Sequence, residues 1–270
     1  MIQRPLVSII INNYNKQKYC TQALKSAILQ NYKKIEIIFF DDCSNDSSLK
    51  KIEKLRRRFK NKIRIIKNNV RGNIYSLNQM NGIKRSIEKS RGNIICLMDS
   101  DDFFKKYKVK EIVNFFYENP KKEILFDKPI IFKNKNDKNP SFENYFSREN
   151  KWPKIPPTSC ISVRKKSLKK AMKKIFIKKF HDLWFDFRLS TYFAMNKNQF
   201  NLLDMNLTFY RYYEDSYDKR YKKFINFQWW RRRNQAFDFI LFLNSKKYKK
   251  NIYSLDFLLT KLINKFSFIF

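Results

Sequence analysis

The sequence predicts an α/β protein with a mainly parallel sheet flanked by helices and a helical C-terminal extension. Two observations predict it. Short β-branched runs alternate with segments of helical spacing from the N-terminus to Pro120. Those runs are mostly apolar, with little polar alternation, as in strands covered on both faces. Strand and helix in strict alternation imply parallel crossovers.

Val7 to Ile11 is the first such run, broken by Asn12-Asn13-Tyr14-Asn15. Tyr19, Ala23, Ala27 and Ile28 recur at helical spacing, with Asn15 placed to cap that helix. Ile35 to Phe40 is a second buried strand, and the polar stretch Asp41 to Ser48 a loop. Leu49, Ile52, Leu55 and Phe59 mark a helix, and Ile63 to Ile66 a third strand. Leu77, Ile83 and Ile87 mark a helix interrupted near Gly82. Asn93 to Met98 is a fourth strand, ending at Asp99-Ser100-Asp101-Asp102. Val109, Ile112, Val113 and Phe116 form a helix closed by Pro120. Residues 128–160, rich in Lys, Asn and Pro, are expected to make a long, partly ordered excursion around the active site. Ile161 to Val163 is a short strand, Ser167 to Lys174 and Asp182 to Asn196 are helices, and the aromatic, basic C-terminal part is helical.

Composition narrows the function. The chain of 270 residues carries a net charge of +35, which favours anionic partners. Cys20, Cys43, Cys96 and Cys160 are scattered, without the close pairs of a zinc site or the framework of a disulfide-stapled protein. No signal-peptide pattern or run of about 18 apolar residues is present, so a cytoplasmic protein is expected. The only glycines are Gly72, Gly82 and Gly92. That excludes the glycine-rich dinucleotide fingerprint and the P-loop. A nucleotide on this sheet must be gripped by side chains and a metal.

Carboxylates supply the grip. Ligands of open parallel sheets bind beyond the carboxyl ends of the strands. Asp41 and Asp42 follow the second strand, and Asp99, Asp101 and Asp102 the fourth, so both groups project from one sheet edge. Mg²⁺ and Mn²⁺ take oxygen ligands, commonly one or two carboxylates plus substrate phosphates. A diphosphate held through a metal follows from this. Either acidic cluster alone also fits ordinary turn and capping chemistry.

The segments VSIIINNYN, IEIIFFDDCSNDSS and GNIICLMDSDD resemble, in order and spacing, the signatures of inverting family-two glycosyltransferases with a GT-A fold. The resemblance covers residues 5 to about 118 well and reaches more weakly to about 215. It implies that Asn12 contacts the nucleoside and that Asp42, with Asp41 beside it, bonds the base. Asp99 is then the first acid of its motif, and Asp101 and Asp102 lie near the ribose and metal. The donor site so implied comprises Asn12, Tyr14, Asn15, Asp41, Asp42, Arg71, Gln79, Asp99, Ser100 and Asp101. Asp101 and Asp102 would hold Mn²⁺ or Mg²⁺. The chain departs from the family at Asn12-Asn13, where Pro-Thr is frequent, and at Cys43, where glycine is usual. It departs again at Gln79, where an arginine is frequent, and Arg71 or a nearby lysine is expected to substitute for that charge.

Inverting transfer needs a base for the acceptor hydroxyl. In FHDLWFDFRLS, Asp182 stands where similar enzymes carry it, and His181, the only histidine, precedes it. Asp182 also suits a helix N-cap, and Asp186 is an alternative base. Thr158 and Ser159 suit hydrogen bonds to a sugar, and Trp152 suits stacking on one.

On this reading residues 1–215 form the catalytic domain. A nucleotide-sugar-binding half covers 1–127 and an acceptor half 128–215, followed by an aromatic, basic extension over 216–270. Trp229 and Trp230 beside Arg231, Arg232 and Arg233 suit an anionic membrane surface. The expected partners are a UDP-sugar donor and a glycan or polyprenyl-linked acceptor at the inner face of the cell membrane. No specific nucleic acid is expected. A basic nucleic-acid-binding protein and a non-catalytic membrane-surface scaffold are the competing readings.

Overall fold

The computed structural model describes residues 4–132, 155–197, 199–211, 226–243 and 254–266. Its first half is the alternation the sequence dictates. The elements are β1 (Val7–Asn13), α1 (Cys20–Ile28), β2 (Ile35–Asp41), α2 (Ser48–Arg58), β3 (Ile63–Lys67), α3 (Tyr75–Lys89) and β4 (Ile94–Asp99). A two-residue strand β5 (Phe103–Phe104) and α4 (Lys108–Glu118) follow. The second half adds β6 (Ile124–Phe132), β7 (Ile161–Arg164), α5 (Lys165–Ile175), α6 (Phe185–Lys197) and β8 (Leu202–Arg211). Among the described residues that follow are the helices α7 (Phe227–Phe242) and α8 (Leu255–Phe266).

The strands form one eight-stranded sheet in the order β3-β2-β1-β4-β7-β6-β8-β5. β1 to β4 run parallel, as do β6 and β8, while β7 is antiparallel to both its neighbours. Strand side chains alternate between faces, so each strand feeds two cores. Ile10, Ile38, Ile95 and Leu97 pack with α3, α5, α6 and α7 on one face. Ile9, Ile11, Ile37, Phe39, Cys96 and Met98 pack with α1 and α4 on the other. Ala236, Phe239 and Leu243, from the end of the chain, belong to the first of these cores.

Three local expectations change. α3 runs unbroken through Gly82, because that glycine lies against the sheet: a Cβ there would come within 2.7 Å of the Phe40 ring and 2.9 Å of Asn12 Oδ1. Asn15 does not cap α1, which starts after Tyr19; its φ is 50° and its side-chain oxygen accepts the Asn45 N–H at 3.0 Å. The described ends of the 128–160 stretch are regular, with β6 running to Phe132 and a 3₁₀ turn over Thr158–Cys160. Trp152 lies outside the described residues. Strands β6 and β8 escaped the sequence reading because Pro129 sits at the irregularity in their pairing and β8 mixes polar with apolar residues. No helix among the described residues is long and apolar enough to cross a membrane.

Candidate functional site

Register builds the site. Parallel pairing sets Asn12 beside Asp99 on one side and beside Phe40 on the other, and Asn13 beside Asp41. The loops after β1, β2 and β4 therefore open at one level of one sheet edge. They surround a cavity of about 380 Å³, within the range of small-molecule sites.

The loop after β2 is held from within. Asp41 is buried and bonds inward: Oδ1 accepts Asn13 Nδ2 at 2.8 Å and Ser44 Oγ at 2.7 Å, and Oδ2 accepts the Ser44 amide at 3.0 Å. Cys43 completes the turn with φ of 61°, the left-handed conformation that favours glycine and explains that residue's frequency at this place in the family. Asp42 reaches the cavity wall. Its carboxylate accepts Arg71 Nε at 2.9 Å and Asn68 Nδ2 at 2.8 Å. The Arg71 guanidinium also lies over the Tyr14 ring at 3.6 Å.

After β4, the acids separate. Asp99 and Asp101 line the cavity; Asp102 does not. Asp102 is buried, with Oδ2 accepting Ser159 Oγ at 2.5 Å and Oδ1 accepting the Arg211 amide at 2.8 Å. Burial, then the charges of Asp101 and Asp99, push its carboxyl well above the usual carboxylate range. Asp101 receives Lys16 Nζ at 2.6 Å. Burial first, then the Asp101 charge, push Asp99 up to about 7, against the opposing hydrogen bond from Gln79 Nε2 at 3.2 Å.

Behind the loop lies a buried polar network. Lys108, fully enclosed, pairs with Asp127 at 2.7 Å and donates to Thr208 Oγ1 at 2.6 Å and to the Ser159 carbonyl at 2.7 Å. Ser159 passes this anchor on, since its hydroxyl donates to Asp102 and accepts the Asp99 amide at 2.9 Å.

The donor-site residues named from sequence that reach the cavity are Asn12, Tyr14, Arg71, Gln79, Asp42, Asp99, Ser100 and Asp101. Asn15 and Asp41 stand behind it, bracing loops. Asp182 and His181 are likewise absent from its wall. The Asp182 carboxylate is buried and accepts Arg231 Nε at 2.6 Å, Arg231 Nη2 at 2.9 Å and Gln235 Nε2 at 3.0 Å. His181 Nε2 stands 3.7 Å from Asp182 Oδ1. Asp186, one helical turn on, does line the cavity, with Trp184 and Phe187. Sequence reading missed Lys16, Tyr75, Tyr210, Arg211 and Arg232, which also line it. Lys16 was within reach, since it directly follows the Asn12–Asn15 break. Arg211 needed the unseen strand β8.

The donor set suits a divalent cation. Asp99 and Asp101 offer oxygen ligands, and the Asp101 charge raises the cost of ionising Asp99, which a cation relieves. Among the described residues no three His, Cys, Asp or Glu side chains converge. A metal here would take one or two carboxylates and complete its shell with phosphate and water oxygens.

A mixed, mainly parallel sheet with acids from two strand ends around a nucleotide-sized cavity defines the class of the GT-A transferase fold. The chain belongs to glycosyl transferase family 2, whose model matches residues 8–176. An uncharacterized glycosyltransferase of Haemophilus influenzae is 34% identical over 119 residues, covering 43% of this chain and 44% of that protein. The Escherichia coli protein WfaP, a UDP-Glc:alpha-D-GlcNAc-diphosphoundecaprenol beta-1,3-glucosyltransferase, is 34% identical over 110 residues, 41% of each chain. These matches span less than half of either relative. Staphylococcus aureus TarS 1–349, solved with UDP-GlcNAc, superposes with a TM-score of 0.69 at 20% identity, over 97% of this chain and 75% of that one. That likeness is one of fold.

Proposed function

We propose that the chain transfers a sugar from a UDP-sugar to a hydroxyl of a glycan or lipid-linked acceptor, with inversion, in the assembly of a surface polysaccharide. The observation that carries this is the cavity itself. Asp42, Asp99 and Asp101 line it together with the cations Lys16, Arg71 and Arg211, so that Asp42 would meet the base and Asp99 and Asp101 the diphosphate. TarS in complex with UDP-GlcNAc and the lipid-linked acceptor in WfaP's name support the donor and acceptor classes.

Each side chain then has a task. Asn12 keeps both amide atoms buried without a partner among the described residues, as do Gln79 Oε1 and Ser100 Oγ. Such atoms gain most from a ligand that satisfies them. Asn12 and Asp42 would read the nucleoside, and Lys16 and Arg211 would offset the diphosphate charge. Mn²⁺ or Mg²⁺ held by Asp99 and Asp101 would stabilise the departing diphosphate. For the base, two carboxylates stand close. Asp186 lines the cavity and would accept the acceptor's proton. Asp182, the position the family resemblance indicates, would serve with Arg231 withdrawn. Attachment to an anionic membrane surface belongs to the same proposal, since a lipid-linked acceptor is presented there.

Calorimetry tests the donor site. UDP, GDP and dTDP are titrated with and without Mn²⁺, on wild type and Asp101→Ala. Metal-dependent binding of UDP, weakened in the variant, is expected. A folded protein that binds none of the nucleotides would refute the assignment and promote the scaffold reading.

A further inference from the structure

α8 is docked the wrong way round for a helix that only completes a globular fold. Leu255, Leu258, Leu259, Leu262 and Phe266 fall on one stripe by helical spacing, and all face solvent, with exposures of 76, 55, 44, 54 and 53%. The opposite face is the one that meets α7, and it is largely polar. Asp256 pairs with Arg233, Lys261 Nζ contacts Asp238 at 2.5 Å, and Asn264 Nδ2 donates to the Trp230 carbonyl at 3.0 Å. Phe257, edge to face with Phe237 at 5.3 Å, is the apolar exception. An amphipathic helix ordinarily turns its apolar stripe to the core. Here ion pairs hold the helix so that the stripe points away.

The charge around that stripe selects its occupant. Lys265 is exposed near the end of α8. A second copy of a chain carrying +35 would be repelled, whereas an anionic lipid surface is attracted. A helix of 12 residues is about 18 Å long, too short to span a bilayer and suited to lie in its interface. The partner helix α7 also contributes Arg232 to the cavity wall, which sets the stripe and the cavity on connected elements. Within the tryptophan–arginine cluster singled out in the sequence, Arg231 pairs with Asp182 and Arg233 with Asp256.

We infer that the leucine stripe of α8 is the surface by which this protein docks on an anionic membrane, with the apolar side chains in the interface and Lys265 on the headgroups. This deepens the membrane-side reading above and is independent of the donor assignment, because docking needs no turnover.

The test is flotation of the full-length chain with phosphatidylcholine vesicles, with and without about 30% phosphatidylglycerol. It is run at physiological salt and at about 0.5 M NaCl, where the screening length falls to about 4 Å and charge alone no longer holds. Wild type should float with the anionic vesicles and retain measurable binding at high salt. Leu258→Ser/Leu259→Ser/Leu262→Ser should lose roughly tenfold or more of the high-salt binding. Leu255→Ser, at the most exposed position, should lose a smaller part, which guards against a folding defect in the triple variant. Circular dichroism and UDP binding should be unchanged in both. Failure of wild type to bind anionic vesicles would overturn membrane docking altogether. A triple variant that floats like wild type at high salt would overturn the assignment to α8. A wild-type dimer that the triple variant dissolves would show a second copy to be the occupant.

Discussion

At Asn12, the two amide atoms are buried beside Gly82 and Phe40, and no described residue bonds them. Little folding energy therefore rests on this amide, while a ligand that pairs with it gains a full hydrogen bond in a dry site. Asn12→Ala is expected to leave thermal stability within about 0.5 kcal/mol of wild type and to weaken nucleotide binding roughly tenfold, both read by calorimetry. The two acids of the α6 region invite a paired comparison. Asp186→Asn should lower kcat by about 10²–10⁴, as loss of a general base does, with the donor KM little changed. Asp182→Asn should instead act mainly on stability, because it weakens the bonds that the buried Asp182 carboxylate accepts from Arg231 and Gln235. A kcat collapse confined to Asp182→Asn would return the base to that position and imply that Arg231 withdraws during the reaction.

At the scale of elements, Glu36 ties β1, β2 and the entry to β4 together. Its Oε1 accepts Ser8 Oγ at 2.6 Å, the Arg91 amide at 2.5 Å and the Gly92 amide at 3.1 Å, and its Oε2 accepts Arg91 Nε at 3.0 Å. Gly92 is required here, since a Cβ would stand 2.6 Å from the Ser8 nitrogen. Burial raises the Glu36 carboxyl, but the donors together outweigh it and leave the value lowered. A lowered folded-state value means stability that is complete above the unfolded carboxyl's range, about 4.3. That stability disappears as pH falls through the lowered value. Glu36→Gln should cost about 1.5–3 kcal/mol at neutral pH, with the gap to wild type closing under acid. Parallel urea titrations at neutral and acidic pH measure it. A gap that persists unchanged in acid would show the loss to be one of packing rather than charge.

For the whole molecule, the +35 charge and the cavity make separate demands on stability. Self-repulsion strains the folded state and is relieved by salt. Raising NaCl from about 0.05 to about 0.5 M should therefore raise Tm. A nucleotide that binds only the folded chain adds RT ln(1 + [L]/Kd), about 2.7 kcal/mol at a hundredfold excess over Kd. For a chain of this size that corresponds to roughly 5–10 °C in Tm. Scanning calorimetry with and without UDP and Mn²⁺ separates the two effects. A salt response with no nucleotide response would mean that the folded chain has no donor site.

The sequence by itself determined the alternating half of the fold and the sheet edge where the chemistry gathers. Mostly apolar β-branched runs such as Ile35 to Phe40, alternating with helical segments, read as strands covered on both faces, and the acids that end them then share one edge. Only the tertiary structure decided which of those acids face the cavity. Asp41 and Asp42 are adjacent, as are Asp101 and Asp102, and successive side chains leave the backbone in different directions. The direction each takes depends on partners far away in the chain, Ser159 and Arg211 for Asp102, and Arg71 for Asp42. Strand β8, which brings Arg211 to the site, carries no clean alternation because β6 and β5 flank it and its pairing shifts register beside Pro129. The direction of α8 was equally beyond local pattern. Its periodicity is legible in Leu255, Leu258, Leu259 and Leu262, but the salt bridges from α7 choose which face turns outward.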